Sequence, residues 1–374
     1  MFRLLWLPFW ILLHSYIGWR LAALPPLSEK RRRWMVGGAL AFLFLLYPVS
    51  RMLEDLADGP VLALIVHGAA YWVGVVLLTC VCLFAVDLVT LFGLVLSRWT
   101  VRLRYGALLG AAILSIVAVV QGARPPVVTE HVVKLERLPP AADGLKLVLA
   151  SDFHLGAQID GEWLDELAGQ IAELEPDVVV LAGDLVEGHG HPAGMESDMA
   201  RALSRVRPRL GLWAVLGNHD RYGAFDGTSF FDEAGCRLLR NDWEMLMPGL
   251  ALAGAEDEGS FRPVVDGSAH LSQALRNRPA DVATVFVSHR PLEPALLAAV
   301  GVDLALAGHT HGGQLWPFDL LAWALNPLLE GRYDNSGMTS IVTRGAGTWG
   351  PRMRLWAPGE IVLVTLRAGD RATN

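Results

Sequence analysis

The chain divides into two patterns: long unbroken apolar stretches in its first third, and short apolar runs bounded by polar turns thereafter. Leu4–Ala23 is of roughly spanning length and is interrupted only by His14, Ser15 and Arg20. Trp34–Val49 is a second such segment, followed by a polar loop with Glu54, Asp55 and Asp58. Val61–Leu96 is long enough for one tilted helix with an interfacial extension, and Asp87 marks the end of its lipid-buried part. Tyr105–Val120 is the fourth. The pattern predicts a transmembrane region over residues 1–122 with about four helices, a linker and first edge strand over 123–144, and a folded domain over 145–374.

Charge orients this region. Basic residues in short loops stay cytoplasmic, so Lys30–Arg33 and Arg98–Arg104 belong inside and the acidic loop between them outside. The domain that follows Gly122 is then extracytoplasmic in a multi-pass cell-membrane protein. A cleaved export signal is disfavoured, because only Arg3 precedes the first apolar segment while the basic cluster follows it. A count of three crossings, with that segment on the surface, leaves the last one's direction unchanged.

Arg124, Pro125 and Pro126 stop the last helix, and Val127–Leu135 reads as an edge strand. Leu147–Leu149 has no helical period and suits a strand buried on both faces. Glu162–Leu174 places Trp163, Leu164, Leu167, Ile171 and Leu174 at helical spacing. Further strands are expected over Asp177–Ala182, Gly211–Leu216, Val285–Val287 and Leu304–Ala307, with a helix over Asp198–Val206. Strands alternating with helices predict an α/β domain.

Composition changes this picture in two respects. A net charge of -7 gives no basic face for nucleic acid. Cys80 and Cys82 lie in an apolar segment and Cys236 is isolated, so neither a disulfide framework nor a thiolate cluster can be built. Any metal must use nitrogen and oxygen ligands. No protein partner is evident from the sequence.

Those ligand types fall where buried strands end. Asp152 and His154 follow the first, one residue apart, and can share a cation. Gly183 and Asp184 follow the next, and two carboxylate oxygens on Asp184 can bridge two cations. Then come Gly217, Asn218, His219 and Asp220: a neutral amide ligand, a histidine beside the metal, and a carboxylate able to orient it. His289 follows a further strand, and His309 and His311 follow the last. Five of the eleven histidines thus stand directly after buried strands.

This order resembles the calcineurin-like metallophosphoesterases, and within them the bacterial YaeI/YkuE-type envelope phosphodiesterases. The branch is marked by the run His309–Gln314, by Tyr333, by Val342–Gly347, and by Arg354, Pro358 and Glu360. The resemblance covers about Val127–Leu366 and implies a four-layer sandwich of two β-sheets flanked by helices. It implies Asp152, His154, Asp184 and His311 on one divalent ion, and Asp184, Asn218, His289 and His309 on the other. Carboxylate, amide and imidazole ligands suit manganese, iron or zinc. His219 is expected to protonate the leaving oxygen with Asp220 fixing its ring, and Arg344 and Arg354 to contact substrate. After Asp184 the chain lacks the phosphate-clamping arginine of the phosphoprotein-phosphatase branch. The expected activity is hydrolysis of a phosphodiester or pyrophosphate bond in a lipid or nucleotide-lipid headgroup. The alternatives are a phosphomonoesterase and a non-enzymatic receptor or scaffold held together by its metals. His189 and His191 form a loop pair, and the aromatic stretch Leu315–Leu329 is either a lid on the domain's core or a segment that meets the lipid interface.

Overall fold

The computed structural model describes residues 2–53, 59–156, 158–187, 195–221, 228–257, 268–326, 328–335 and 337–369. Glu54, Asp55, Asp58, His189 and His191 lie outside them. The packing divides the chain into two units: Met1–Ala123 with Gly350–Leu355, and Arg124–Trp349 with Trp356–Asn374.

The first unit is helical: α1 Phe2–Ala22, α2 Lys30–Leu53, α3 Pro60–Val89 and α4 Ser97–Gly122. Of these, α2, α3 and α4 are long and apolar enough to cross a membrane. They turn Phe42, Leu64 and Ile116 outward, as a lipid-facing bundle requires. α1 packs Trp10 and Ile17 against Val73 and Val76 of α3. The helix read across Val61–Leu96 ends at Val89, where the Thr90 hydroxyl donates to Val86 O and Leu91 and Phe92 take left-handed backbone. Asp87 lies two residues before that end. It is fully buried, 2.6 Å from Arg20 and 3.3 Å from Arg104, and accepts the Tyr16 hydroxyl. A buried carboxylate in such a helix is tolerable because it is paired. The segment Gly350–Leu355 is part of this unit: Pro351 and Met353 fill the notch at Gly74, and the Arg354 N–H donates to Ala118 O at 2.9 Å.

In the second unit the strands are β1 Val127–Leu135, β2 Lys146–Ala150, β3 Val178–Ala182, β4 Leu212–Val215, β5 Cys236–Leu238, β6 Asp242–Met247, β7 Leu250–Ala255, β8 Ala283–Ser288, β9 Leu304–Ala307, β10 Gly331–Asn335, β11 Met338–Val342 and β12 Glu360–Ala368. Six form one sheet in the order β1-β12-β2-β3-β4-β5, and six form another in the order β10-β11-β9-β8-β7-β6. β2, β3, β4 and β5 run parallel, as do β7, β8, β9 and β11.

The alternation of side chains decides the layers. Leu147, Leu149, Val178, Val180, Trp213 and Val215 point from the first sheet onto Leu250, Leu252, Val285, Val287, Leu304 and Leu306 of the second. Their neighbours Val148, Ala150, Val179, Leu181 and Ala214 face helices α5 (Gly161–Glu173), α6 (Met195–Leu203) and α7 (Thr228–Glu233). Phe286 and Ala305 face α8 (Ser268–Ala274) and α9 (Pro294–Ala299). The result is the four-layer sandwich, and it brings the carboxyl ends of β2, β3, β4, β8 and β9 to one edge. A last helix, α10 (Phe318–Leu325), follows the β9 loop.

Candidate metal centre

The loops at that edge carry the candidate residues. β2 ends at Ala150, so strand alternation does not aim Asp152 and His154. Instead both take left-handed backbone, at φ 56° and 49°, as do Asp184, His309 and His311. For residues other than glycine this costs about 1–2 kcal/mol each. Such strain persists where surrounding structure imposes it, and it gathers at functional sites.

Among the described residues three interlocking groups of ligand atoms result: Asp152, His154 and His311; His154, Asp184 and His219; and Asp184, His289 and His309. His154 Nε2 lies 3.1 Å from His311 Nε2, and His311 Nε2 lies 3.5 Å from Asp152 Oδ1. On the other side His289 Nε2 lies 3.0 Å from His309 Nδ1. Asp184 Oδ2 is 3.0 Å from His289 Nε2 and 3.8 Å from His154 Nε2, so one oxygen addresses both groups.

The ligand rings are aimed from behind. His289 Nδ1 lies 2.8 Å from Ala182 O, where a donated proton leaves Nε2 as the inward atom. His154 Nδ1 lies 2.8 Å from Glu187 in the same way. Ser151 donates to Asp152 at 2.5 Å, and the His309 N–H reaches both oxygens of that carboxylate. Close backbone approach is essential at Gly217 and Gly308. A Cβ at the first would collide with Asp184, and at the second with Ser151 and Asp152.

Electrostatics follow from burying carboxylates and imidazoles side by side. Burial and the Asp184 charge push Asp220 up to about 6. Burial opposes charge on His289, but the Asp184 carboxylate outweighs it and raises the imidazole to about 10. Burial and the charge of His289 hold His309 well below the usual histidine value. For Glu187 burial is outweighed by His154 and His219, which hold it well below the carboxylate range.

Asp184 Oδ2 and His289 Nε2, 3.0 Å apart, are two inward-facing atoms that one cation could engage together. The fit to cations rests also on Asn218, whose buried Oδ1 has no hydrogen-bond partner among the described residues. A neutral oxygen left unsatisfied in a buried setting costs about 1–3 kcal/mol, which ligation would remove. Hard oxygens and imidazoles suit a divalent ion.

Three site expectations need correction. Asp220 does not spend its carboxylate on orienting His219. It accepts backbone N–H groups from Asp184, Leu185, Val186 and Gly217 at 2.8–3.0 Å, tying the β3 loop to the β4 loop. The carboxylate beside His219 is Glu187, 3.4 Å from Nδ1. Arg344 is not a free phosphate contact, because its guanidinium is 2.9 Å from Glu360 and donates to Pro358 O. Arg354 belongs to the helical unit rather than to the domain that carries the ligands. Glu187 was missed although it stands three residues after Asp184, because a carboxylate in a loop carries no mark of what it faces.

Comparison with known proteins agrees with this geometry. Residues 145–313 match the family model of calcineurin-like phosphoesterases. A "transmembrane protein with metallophosphoesterase domain" from Bos taurus is 32% identical over 284 residues, covering 70% of this chain and 62% of that protein. The match therefore spans less than two thirds of the bovine protein's length. An uncharacterized metallophosphoesterase of Aquifex aeolicus is 30% identical over 249 residues, covering 64% of this chain and 91% of the other. The uncharacterized metallophosphoesterase YkuE of Bacillus subtilis is 28% identical over 254 residues, covering 64% and 85%.

Proposed function

The chain belongs to the calcineurin-like metallophosphoesterase family, and from that premise we propose that it is a membrane-anchored phosphohydrolase that cleaves phosphodiesters at a centre for two divalent ions. The observation that carries the reading is the position of Asp184 Oδ2, which faces both ligand groups. Asp152, His154, Asp184 and His311 would hold one ion, and Asp184, Asn218, His289 and His309 the other, with manganese, iron or zinc meeting the donor set. Two bound ions would lower the pKa of a water and neutralise charge on phosphate oxygens during in-line displacement.

The chain's own residues supply the rest. His219 stands beside the ligands, its ring 4.8 Å from that of His154 and partly open to solvent. Glu187 at Nδ1 favours the tautomer that presents Nε2, so His219 can deliver a proton to the leaving oxygen. Asp220 keeps the two loops in register and so positions His219 at a distance.

A diester is favoured over a monoester by the arginines next to the ligands. Arg221 pairs with Glu256, Arg290 with Asp257 and Arg344 with Glu360, each at 2.8–2.9 Å. A monoanionic diester needs less added cation than a dianionic monoester. A lipid or nucleotide-lipid headgroup fits a domain tethered to membrane helices, and the basic loops Lys30–Arg33 and Arg98–Arg104 support an extracytoplasmic position for that domain.

The test is hydrolysis of bis(p-nitrophenyl) phosphate against p-nitrophenyl phosphate with added manganese, for the wild type, Asp184→Asn and His219→Ala. The expected result is diester preference in the wild type, loss in both variants, and retention of metal by His219→Ala. Monoester preference supports a phosphomonoesterase instead. No turnover with any metal supports a metal-stabilised scaffold.

A further inference from the structure

The loop that carries His309 and His311 runs directly into an apolar surface. The Gly313 backbone packs on Asp319 in the first turn of α10. None of the α10 residues is buried, and Leu320, Leu321, Trp323 and Leu325 are 58–69% exposed. The Trp316 ring lies 5.1 Å from that of Trp356, tilted by 58°, and both are exposed. Trp349 extends the same apolar set: Gln314 clamps its backbone through bonds of 2.9 and 3.0 Å, and its ring lies 6.4 Å from that of His219. A soluble surface rarely leaves so many large apolar side chains together in water. Leu315 and Leu328 at the ends of this stretch are buried, Leu328 against Ala307 and Val342, so packing on the domain's own core holds for the ends and not for α10.

We propose that α10 with Trp316, Trp349 and Trp356 is an interfacial surface that sits in the headgroup layer of the bilayer and admits a phosphoester whose apolar tail stays in the membrane. The occupant is identified by covalent attachment. The last spanning helix ends at Gly122 and β1 starts at Val127. The intervening residues 123–126 reach at most about 14 Å when extended. Trp349 and Trp356 are also the residues between which the chain contributes Gly350–Leu355 to the helical unit. Tryptophan is the side chain most suited to the headgroup layer, where an apolar body and one N–H donor are both satisfied. The sequence of α10 contains no Lys or Arg. Its attraction to lipid is therefore apolar and does not depend on anionic headgroups.

The substrate part of this inference rests on the proposed function; the location of α10 does not. The full chain in phosphatidylcholine vesicles would be given soluble bis(p-nitrophenyl) phosphate or vesicle-borne p-nitrophenyl hexadecyl phosphate. Combined Leu320→Ser and Trp323→Ser should lower hydrolysis of the hexadecyl ester about tenfold and change the soluble one less than about twofold. Equal loss on both, or none on either, overturns the route of entry. If the wild type hydrolyses neither with any metal, the proposed function fails instead. Independently, a bimane label on Trp323→Cys should be quenched by doxyl-labelled lipids. An unquenched, water-like spectrum overturns the interfacial placement whatever the activity.

Discussion

Glu187 Oε2 stands 2.8 Å from Nδ1 of His154, and the other oxygen of that carboxylate reaches Nδ1 of His219 at 3.4 Å. One side chain thus orients a metal ligand and the proposed proton donor together. Glu187→Gln keeps the size and removes the charge. Metal affinity and kcat/KM for bis(p-nitrophenyl) phosphate should each fall by about 10–100-fold, as for other outer-shell partners of ligating histidines. Unchanged values in calorimetry and steady-state assays would remove Glu187 from the mechanism.

Protons and metals compete for His289. Its imidazole, raised to about 10, is charged at neutral pH in the metal-free site and must lose that proton to ligate through Nε2. Metal affinity should therefore weaken as pH falls, about tenfold per unit for each proton displaced. Calorimetric titration in two buffers of different ionisation enthalpy should show proton release on binding. No buffer dependence would contradict the pairing of His289 with Asp184.

The glycines after β4 and β9 have no room for a methyl group. Gly217→Ala and Gly308→Ala should each abolish tight metal binding, because the new Cβ meets Asp184 in the first case and Asp152 in the second. The strands of the two sheets keep their buried cores, so circular dichroism should be close to wild type while metal content falls. Full metal occupancy in either variant would show that the loops have more freedom than the packing allows.

In the helical unit, Asp87 balances Arg20 and Arg104. Asp87→Leu leaves two guanidinium groups without their carboxylate, at an expected cost of about 3–5 kcal/mol. Thermal unfolding in detergent should show a clear fall in midpoint, and an unchanged midpoint would mean that the arginines find other acceptors.

Much of the site was legible because its ligands follow apolar runs that can only be buried strands, and Asp152, His154, Asp184, Asn218, His219, His289, His309 and His311 all reach one edge of the sandwich. Sequence spacing misjudged the local geometry. Asp152 and His154 come together through left-handed backbone, which no periodicity announces. Partners distant in the chain were equally hidden. Asp220 lies beside His219 in sequence, yet its oxygens serve amides more than thirty residues away as well as Gly217. Arg344 looked available for phosphate until Glu360 was seen beside it. The pairing of Asp87 was hidden too, because its two arginines lie on other helices.

The central claim is that Asp184 joins two metal positions into one hydrolytic centre. The most direct measurement is activity on bis(p-nitrophenyl) phosphate as manganese is added to metal-free full-length protein, with bound metal counted by mass spectrometry. Activity should saturate at about two ions per chain, and Asp184→Asn should neither bind the pair nor turn over. Full activity at a single ion, or in Asp184→Asn, would contradict the account.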